Sequence, residues 1–373
     1  MVVDDSAVIR GLLSRALEND PELRVVASVG DGQMAINSLQ RQSIDVIVLD
    51  IEMPVMDGLQ ALPKLIAVDP AVKIIMASTL TARGADISIR ALQAGAADYV
   101  PKPSSTRELS GADVFKRELV SKVKVLGAAA RRAGSRNRMG DRGARPLAPV
   151  TSGGTGIAPF SARVKPVAPP IVLRDMPLQG RPDIIAIGSS TGGPQALFEV
   201  LSHFRGGVPQ PILITQHMPA TFTMILAEHI SRQCGCVCAE GKDGEPLVGG
   251  RVYIAPGDFH MTLASRNGGT VISLNKDPPE NFCRPSVDPM VRSIVKIYGR
   301  RVLAAILTGM GQDGLRGCEQ VAAAGGIVIA QDEASSVVWG MPGAVATAGI
   351  CNAVLPLVEV GPALRKIASR TAL

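Results

Sequence analysis

Aromatic side chains are scarce in this 373-residue chain: one Trp, three Tyr and seven Phe, 3% in all. The formal net charge is +6, which raises the question of a nucleic-acid partner. Single-stranded nucleic acid is held by rings interleaved with basic residues, and the basic part of this chain has no such interleaving, so none is expected. Long apolar runs are also missing. Nothing approaches the ~20 residues that a membrane helix needs, which argues against membrane insertion. A secretion signal opens with basic and then apolar residues, whereas Asp4 and Asp5 stand near this start, so export is not expected and a cytoplasmic location is. The six cysteines form no disulfide framework. Cys234, Cys236 and Cys238 alternate, and on a strand they would share one face as small buried hydrophobes. A metal site is the sharper reading, but Cys-x-Cys-x-Cys is not a zinc spacing and no histidine lies close by.

The length suits two domains of ordinary size, and 46% hydrophobic residues supply both cores. The positive charge is concentrated between them. From 127 to 182 the only acids are Asp141 and Asp175, against Arg131, Arg132, Arg136, Arg138, Arg142, Arg145, Arg163, Lys165, Arg174 and Arg181. A basic stretch rich in Gly, Ala, Ser and Pro cannot bury a core, so residues 127–182 read as a flexible linker. Residues 1–126 alternate expected strands (1–3, 23–29, 46–51, 73–78, 98–100) with helical patterns (7–18, 33–40, 59–68, 87–94, 114–126). Residues 183–373 resume the alternation, with strands expected at 184–187, 211–215, 251–255, 302–307 and 326–330. Such alternation implies two α/β domains, each a parallel sheet covered on both faces.

In a parallel sheet, function gathers at the carboxyl ends of the strands. Asp4 and Asp5 follow the first strand and Asp50 ends the third. Three converging carboxylates repel one another unless a hard cation such as Mg2+ joins them, and Asp50 would then attack a phosphoryl donor. Ser78 and Lys102, after the fourth and fifth strands, suit phosphate oxygens. A single Asp at a strand end is more simply a helix N-cap; the whole set is not explained that way. Residues 4–103, with Leu49-Asp50-Ile51-Glu52-Met53-Pro54 and Lys102-Pro103, resemble a response-regulator receiver of flavodoxin-like fold. The resemblance implies Asp50 as phospho-acceptor, with Asp4, Asp5, Asp50 and the backbone carbonyl of Glu52 holding Mg2+. It also implies Ser78 and Tyr99 as switch residues, Lys102 as a phosphoryl contact and a cis Pro103. Receivers have a longer apolar run before the acidic pair than residues 1–3 provide, so a start upstream of Met1 is expected.

The second domain opens with an apolar strand that runs into Gly188-Ser189-Ser190-Thr191-Gly192-Gly193. A hydroxyl at a strand-to-helix turn lies beside backbone N–H groups that can hold an oxyanion. The same turn could cradle a phosphate, although the GxGxxG and Walker spacings are absent. Of the four histidines, His203 and His229 lie in helical stretches and His260 in a loop that could face substrate. His217 follows a strand and emerges at the edge of Ser190, where a base is needed. Asp313, on a Gly-rich turn, and Asp288 compete as the orienting carboxylate, and a turn residue is an equal explanation of Asp313 alone.

The motifs Ile-Gly-Ser-Ser-Thr-Gly-Gly, Thr-Gln-His-Met-Pro, Arg-Pro-Ser-Val-Asp and Leu-Thr-Gly-Met-Gly-Gln-Asp-Gly together resemble the catalytic domain of the chemotaxis protein-glutamate methylesterases, the CheB family. The resemblance implies an α/β serine hydrolase with Ser190 as nucleophile, His217 as base, Asp313 as orienter and the Met310 N–H in the oxyanion hole. The family commonly has Ala where Ser189 stands, so Ser189→Ala is expected to be nearly neutral. The implied substrates are glutamyl methyl esters of chemoreceptors, with glutamine deamidation as a second activity, no cofactor for the esterase, and a chemotaxis histidine kinase as phosphodonor. A non-catalytic adaptor and a DNA-binding regulator are the rival readings; the second requires a helix-turn-helix after the linker, and none is visible.

Overall fold

The computed structural model describes residues 1–102, 112–140, 171–176 and 180–370. The first domain is a five-stranded parallel sheet in the order β2-β1-β3-β4-β5, built from β1 (Val2–Val3), β2 (Ser28–Val29), β3 (Val46–Asp50), β4 (Lys73–Ser78) and β5 (Asp98–Pro101). Strand β3 is buried at every position, as a central parallel strand with helices on both faces must be. Helices α1 (Ala7–Glu18), α2 (Gly32–Arg41), α3 (Gly58–Val68) and α4 (Ala82–Gln93) start at Ser6, Asp31, Asp57 and Thr81, each side chain accepting from a backbone N–H of the first turn. These caps satisfy one of the orphan donors that every helix start exposes.

Two boundaries depart from the sequence reading. The strand expected at 23–29 pairs only at Ser28–Val29, because its neighbour β1 offers two residues. The final helix, α5, runs from Ala112 to Gly140, so the first 14 residues assigned to the linker (127–140) are helical. Their Ala and Arg are good helix formers, and Arg131 and Arg132 bond Asp45 and Glu333.

The second domain is a seven-stranded parallel sheet in the order β14-β13-β12-β6-β7-β9-β8, beside a separate hairpin β10-β11. Its central strands are β6 (Ile184–Ser189), β7 (Ile212–Gln216) and β12 (Val302–Ile306). The outer strands are β8 (Val237–Glu240), β9 (Arg251–Ile254), β13 (Ile327–Gln331) and β14 (Ala353–Leu355). One face carries α6 (Gly193–Ser202), α7 (Ala220–Cys234) and α11 (Leu357–Ala368); the other carries α8 (Val287–Tyr298), α9 (Leu315–Ala323) and α10 (Met341–Thr347). The hairpin, β10 (His260–Arg266) and β11 (Gly269–Asn275), packs on α8. Cys234, Cys236 and Cys238 are all buried free thiols. They do not share a strand: Cys234 ends α7, Gly235 turns the chain at φ 65°, and only Cys238 lies in β8. Burial pushes the Cys234 thiol up to about 12.

The two sheets are docked. Tyr99 of β5 stacks on Phe222 of α7 with ring centroids 4.3 Å apart and planes 12° from parallel. Around that stack, His229 Nε2 meets Asp86 Oδ1 at 2.7 Å, and the Gln93 and Gln233 amides bond reciprocally at 3.0 and 3.1 Å. Gln195 donates to the Ala96 carbonyl and Thr191 Oγ1 donates to Asp98 Oδ2 at 2.7 Å.

The far end of the linker is also tied down. In residues 171–176, the Arg174 N–H donates to the Cys351 carbonyl at 2.8 Å. Its guanidinium donates to the carbonyls of Ala322 and Gly326 at 3.0 and 3.3 Å, closing the end of α9. A charged donor to a helix C-terminus contributes ~1.5–3 kcal/mol. Arg174→Ala is therefore expected to lower the stability of the second domain by about 1–3 kcal/mol, measured by urea unfolding followed on Trp339, the single tryptophan. No change in midpoint would show that this segment merely rests on the domain.

Candidate functional site

Strands β12, β6 and β7 are neighbours at the centre of the second sheet, and their carboxyl ends deliver Asp313, Ser190 and His217 to one edge. Two glycines shape the turn after β6. Gly192 caps α6 at φ 76°, a left-handed conformation that L side chains adopt at a cost, and Gly309 approaches so closely that a Cβ there would stand 2.9 Å from the Ser190 Cβ. The Ser190 N–H donates to the Thr308 carbonyl at 3.0 Å. Among the described residues, Ser190 Oγ has no hydrogen-bond partner, and Ser190 is half-buried.

His217 Nε2 lies 2.7 Å from Asp313 Oδ2. Asp313 is buried and unusually well supplied with donors. Oδ2 also accepts from the Val287 N–H at 2.6 Å, and Oδ1 accepts from Ser286 Oγ, Asn281 Nδ2, and the N–H groups of Asp288 and Gly314 at 2.8, 2.8, 3.1 and 2.9 Å. Val287 and Asp288 are the first residues of α8, so the carboxylate caps that helix from outside and gains from its dipole. Burial opposes the charge, but His217, Val287 and Ser286 outweigh it and bring Asp313 down to about 2. Asp288, the rival, bonds the Gly317 N–H at 2.7 Å and Asn281 at 3.0 Å; burial raises its pKa and it faces α9, not His217.

The second ring nitrogen of His217, Nδ1, lies 3.4 Å from Cys283 Sγ, a neighbour that sequence reasoning missed. Desolvation lowers the imidazole pKa, but Cys283 and Asp313 together push it up to about 10. Nδ1 accepts a proton only in the neutral imidazole, so these contacts move the range in which it can act as a base to higher pH. Asn281 and Ser286, which orient Asp313, were also missed, although Ser286 lies inside a motif that the sequence singled out. Ser189 is not inert: its buried Oγ donates to Gln216 Oε1 at 2.7 Å, and Gln216 Nε2 donates to the Ser190 carbonyl at 3.0 Å. His260 does not reach substrate space, since Nδ1 accepts from the Ser286 N–H at 3.3 Å and Nε2 meets the Pro278 carbonyl at 3.2 Å. His203 is partly exposed beside Glu199, and His229 is buried in the domain contact. Among the described residues the Met310 N–H has no acceptor, while its side chain packs with Val337 and Val338 against the first domain.

At the edge of the first sheet, Asp4, Asp5 and Asp50 offer oxygens within 4.8 Å of one another. It is the one such cluster found among the described residues. Lys102 Nζ stands 2.6 Å from Asp4 Oδ2 and from Asp50 Oδ1, yet Asp4 Oδ2, though buried, accepts no well-aligned hydrogen bond. An under-satisfied buried carboxylate beside two others suits a hard divalent cation. Burial raises the Asp50 pKa, with Lys102 opposing and Asp4 adding to it. Asp5 is exposed, and the Glu52 side chain points to solvent, 3.9 Å from Arg83. Ser78 Oγ bonds the Gly84 carbonyl at 3.0 Å, and Tyr99 is buried in the domain contact. The cis bond expected at Pro103 lies outside the described residues.

The receiver-domain family model matches residues 1–112 and the CheB methylesterase model residues 185–364. The chain is 70% identical over its full length to a protein-glutamate methylesterase/protein-glutamine glutaminase of group 2 operon from Rhodospirillum centenum, covering 94% of that protein. It is 72% identical to the protein-glutamate methylesterase/protein-glutamine glutaminase of Azospirillum brasilense, over all of this chain and 93% of that one. Among solved structures, the CheB methylesterase catalytic domain of Thermotoga maritima is 40% identical, spanning 51% of this chain and 100% of its own, with a TM-score of 0.49.

Replacing Cys283 by Ala removes an electrostatic and hydrogen-bonding partner of Nδ1 that favours the imidazolium. The His217 pKa, followed by NMR titration of the ring, is expected to fall from about 10, leaving neutral imidazole over a wider pH range. A titration that does not move, or moves up, would show that Asp313 alone holds the proton.

Proposed function

The chain belongs to the protein-glutamate methylesterase/protein-glutamine glutaminase family, and on that premise we propose that it hydrolyses glutamyl methyl esters on chemoreceptors under control of phosphorylation at Asp50. The observation that carries the reading is the 2.7 Å His217–Asp313 contact at the sheet edge where Ser190 stands with a free hydroxyl. Because Nε2 faces Asp313, the base is Nδ1. It takes the Ser190 proton as Oγ attacks the ester carbonyl, and the Met310 N–H receives the oxyanion. The imidazolium returns that proton to the departing methoxide, giving methanol and an acyl-enzyme. Water, deprotonated at the same nitrogen, then releases glutamate. A glutamine side chain follows the same route, with ammonia leaving.

The receiver site supplies the control. Asp4, Asp5 and Asp50, with the Glu52 carbonyl, would hold Mg2+, which when bound screens the charge on an incoming phosphoryl group. Lys102, 2.6 Å from Asp50, would pair with that group, and Ser78 and Tyr99 would respond to it. The phosphodonor is a chemotaxis histidine kinase, and the substrate is the cytoplasmic part of methyl-accepting receptors, so the enzyme acts in the cytoplasm. Among the described residues, no helix is long and apolar enough to cross a membrane. The intact Ser190, His217 and Asp313 set favours catalysis over the adaptor reading. The DNA-binding reading loses its ground, since residues 185–364 match a methylesterase family instead.

Ser190→Ala should reduce methanol release from methylated receptor membranes by about three to six orders of magnitude, as removal of a triad nucleophile does. Ser189→Ala should retain activity within about threefold while lowering the melting temperature, because it strands a buried Gln216 acceptor. If the two variants exchange behaviour, the nucleophile is misassigned.

A small phosphodonor with Mg2+ should raise methanol release by the wild type and not by Asp50→Asn. A fragment spanning residues 171–373, which keeps the Arg174 anchor, should be active without phosphorylation. A folded but inactive fragment would show that the receiver activates by contact and does not restrain.

A further inference from the structure

Phe282 is 99% exposed, and it is the one aromatic ring among the exposed large hydrophobic residues described. A lone exposed apolar residue is ordinary on a protein surface; this one is set apart by its backbone. Asn281 and Phe282 both hold positive φ, at 52° and 63°. For Asn this is tolerable, but for a bulky side chain such as Phe it is an outlier. The turn is nonetheless closed on both sides: the Glu280 N–H donates to the Cys283 carbonyl at 3.1 Å and the Cys283 N–H to the Glu280 carbonyl at 2.9 Å. This is the geometry of a two-residue hairpin turn of the primed type, where Gly is the favoured residue and Phe is not.

Every neighbour of Phe282 is pinned. Glu280 pairs with Arg292 of α8 at 2.7 Å. Asn281 binds Asp313 and Asp288, Cys283 touches His217, and Arg284 donates to the carbonyls of Lys276 and Asp277 at 3.1 Å each. The turn is thus bolted to two members of the catalytic set while its tip projects free. Strained backbone that the surroundings hold in place tends to mark a functional position. The docked receiver lies against Met310, Val337 and Val338 and leaves Phe282 open, so a macromolecule can reach this rim while the domains are together.

From this we infer that Phe282 is a substrate-anchoring residue: it packs on an apolar strip of the receptor helix that carries the esterified glutamate, and so selects protein-borne esters over free ones. The inference rests on the methylesterase reading above. A ring on a rigid turn gives up little conformational entropy when it binds, which makes aromatic residues effective anchors. Burying it adds affinity for a folded protein surface. A free glutamyl ester has no such surface to offer.

The test compares methanol release from methylated receptor membranes with hydrolysis of free glutamate γ-methyl ester by the full chain. For Phe282→Ala, the ratio of kcat/KM on receptor to kcat/KM on free ester should fall about tenfold or more, the scale of one buried aromatic, with the loss in KM. Phe282→Gly should lose the same ratio but gain thermal stability by relieving the positive φ, and Phe282→Trp should restore the ratio. An unchanged ratio in the Ala and Gly variants, or equal losses on both substrates, overturns the anchoring role. Wild-type protein that releases methanol from neither substrate overturns the methylesterase reading itself, and the anchoring role falls with it.

Discussion

One carboxylate organises the catalytic edge. Asp313 accepts hydrogen bonds from donors on four separate segments: the His217 ring, the start of α8, the turn at Asn281 and its own turn at Gly314. A buried carboxylate is costly unless its oxygens are fully paired, so each donor is required by the others. This dependence fixes His217 in one orientation, with Nε2 toward Asp313 and Nδ1 toward Cys283. It also fixes the Cys283 turn, because Asn281 shares the same oxygen that Ser286 and Asp288 use. Neutralising that carboxylate would unsettle the base, the α8 cap and the turn together, and their effects would not add.

The contact between the domains obeys different physics. It combines one stacked aromatic pair with several polar bonds, and its most buried charge is compensated twice. Asp98 accepts from Thr191 across the boundary and pairs with Lys122 at 3.3 Å, and Lys122 also holds Glu118 at 2.9 Å. Burial works against the Lys122 charge, yet Asp98 and Glu118 raise its pKa. Lys122 donates to the Tyr99 carbonyl at 2.7 Å as well. The backbone at Tyr99 is thereby coupled to a charge network of the first domain that the Thr191 hydroxyl meets from across the boundary, and the ring to Phe222.

Much of this was legible in the sequence because it is local. Helix α1 and strand β4 fall where periodicity put them, since a capping Ser6 and a run of apolar residues suffice to specify each. The meeting of Ser190, His217 and Asp313 at one sheet edge was legible for a related reason: in a parallel sheet, residues at strand ends converge whatever the loops do. What escaped depends on contacts distant in sequence. Cys283 meets His217 across 66 positions, with nothing in either segment to announce it. Strand β2 is short because β1 is, and no pattern within residues 23–29 carries that information. The extension of α5 through 140 was masked by composition: Arg and Ala suit a solvated linker and an exposed helix equally well, and Asp45 and Glu333 decide between them.

The control proposed at Asp50 requires a contact of the second kind. A ligand or modification shifts an equilibrium only by its differential affinity for the two states, and moving a population from 1:99 to 99:1 takes about 5.5 kcal/mol. A phosphoryl group at Asp50 replaces one carboxylate charge by about two on the acyl phosphate, a net gain of about one negative charge beside Lys102, an interaction of a few kcal/mol at most. It could not undo a contact made like the Asp313 cluster, where every bond supports the rest. The domain boundary is instead a set of separate contacts, namely the ring stack, the Met310, Val337 and Val338 packing, the exposed amide pairs and the Asp86–His229, Gln195–Ala96 and Arg132–Glu333 bonds, none of which depends on the rest as the Asp313 donors do. The hydrogen bond from Thr191 to Asp98 is therefore informative about design: the residue next to Ser190 is held by the receiver through a bond of the strength that such a switch can break.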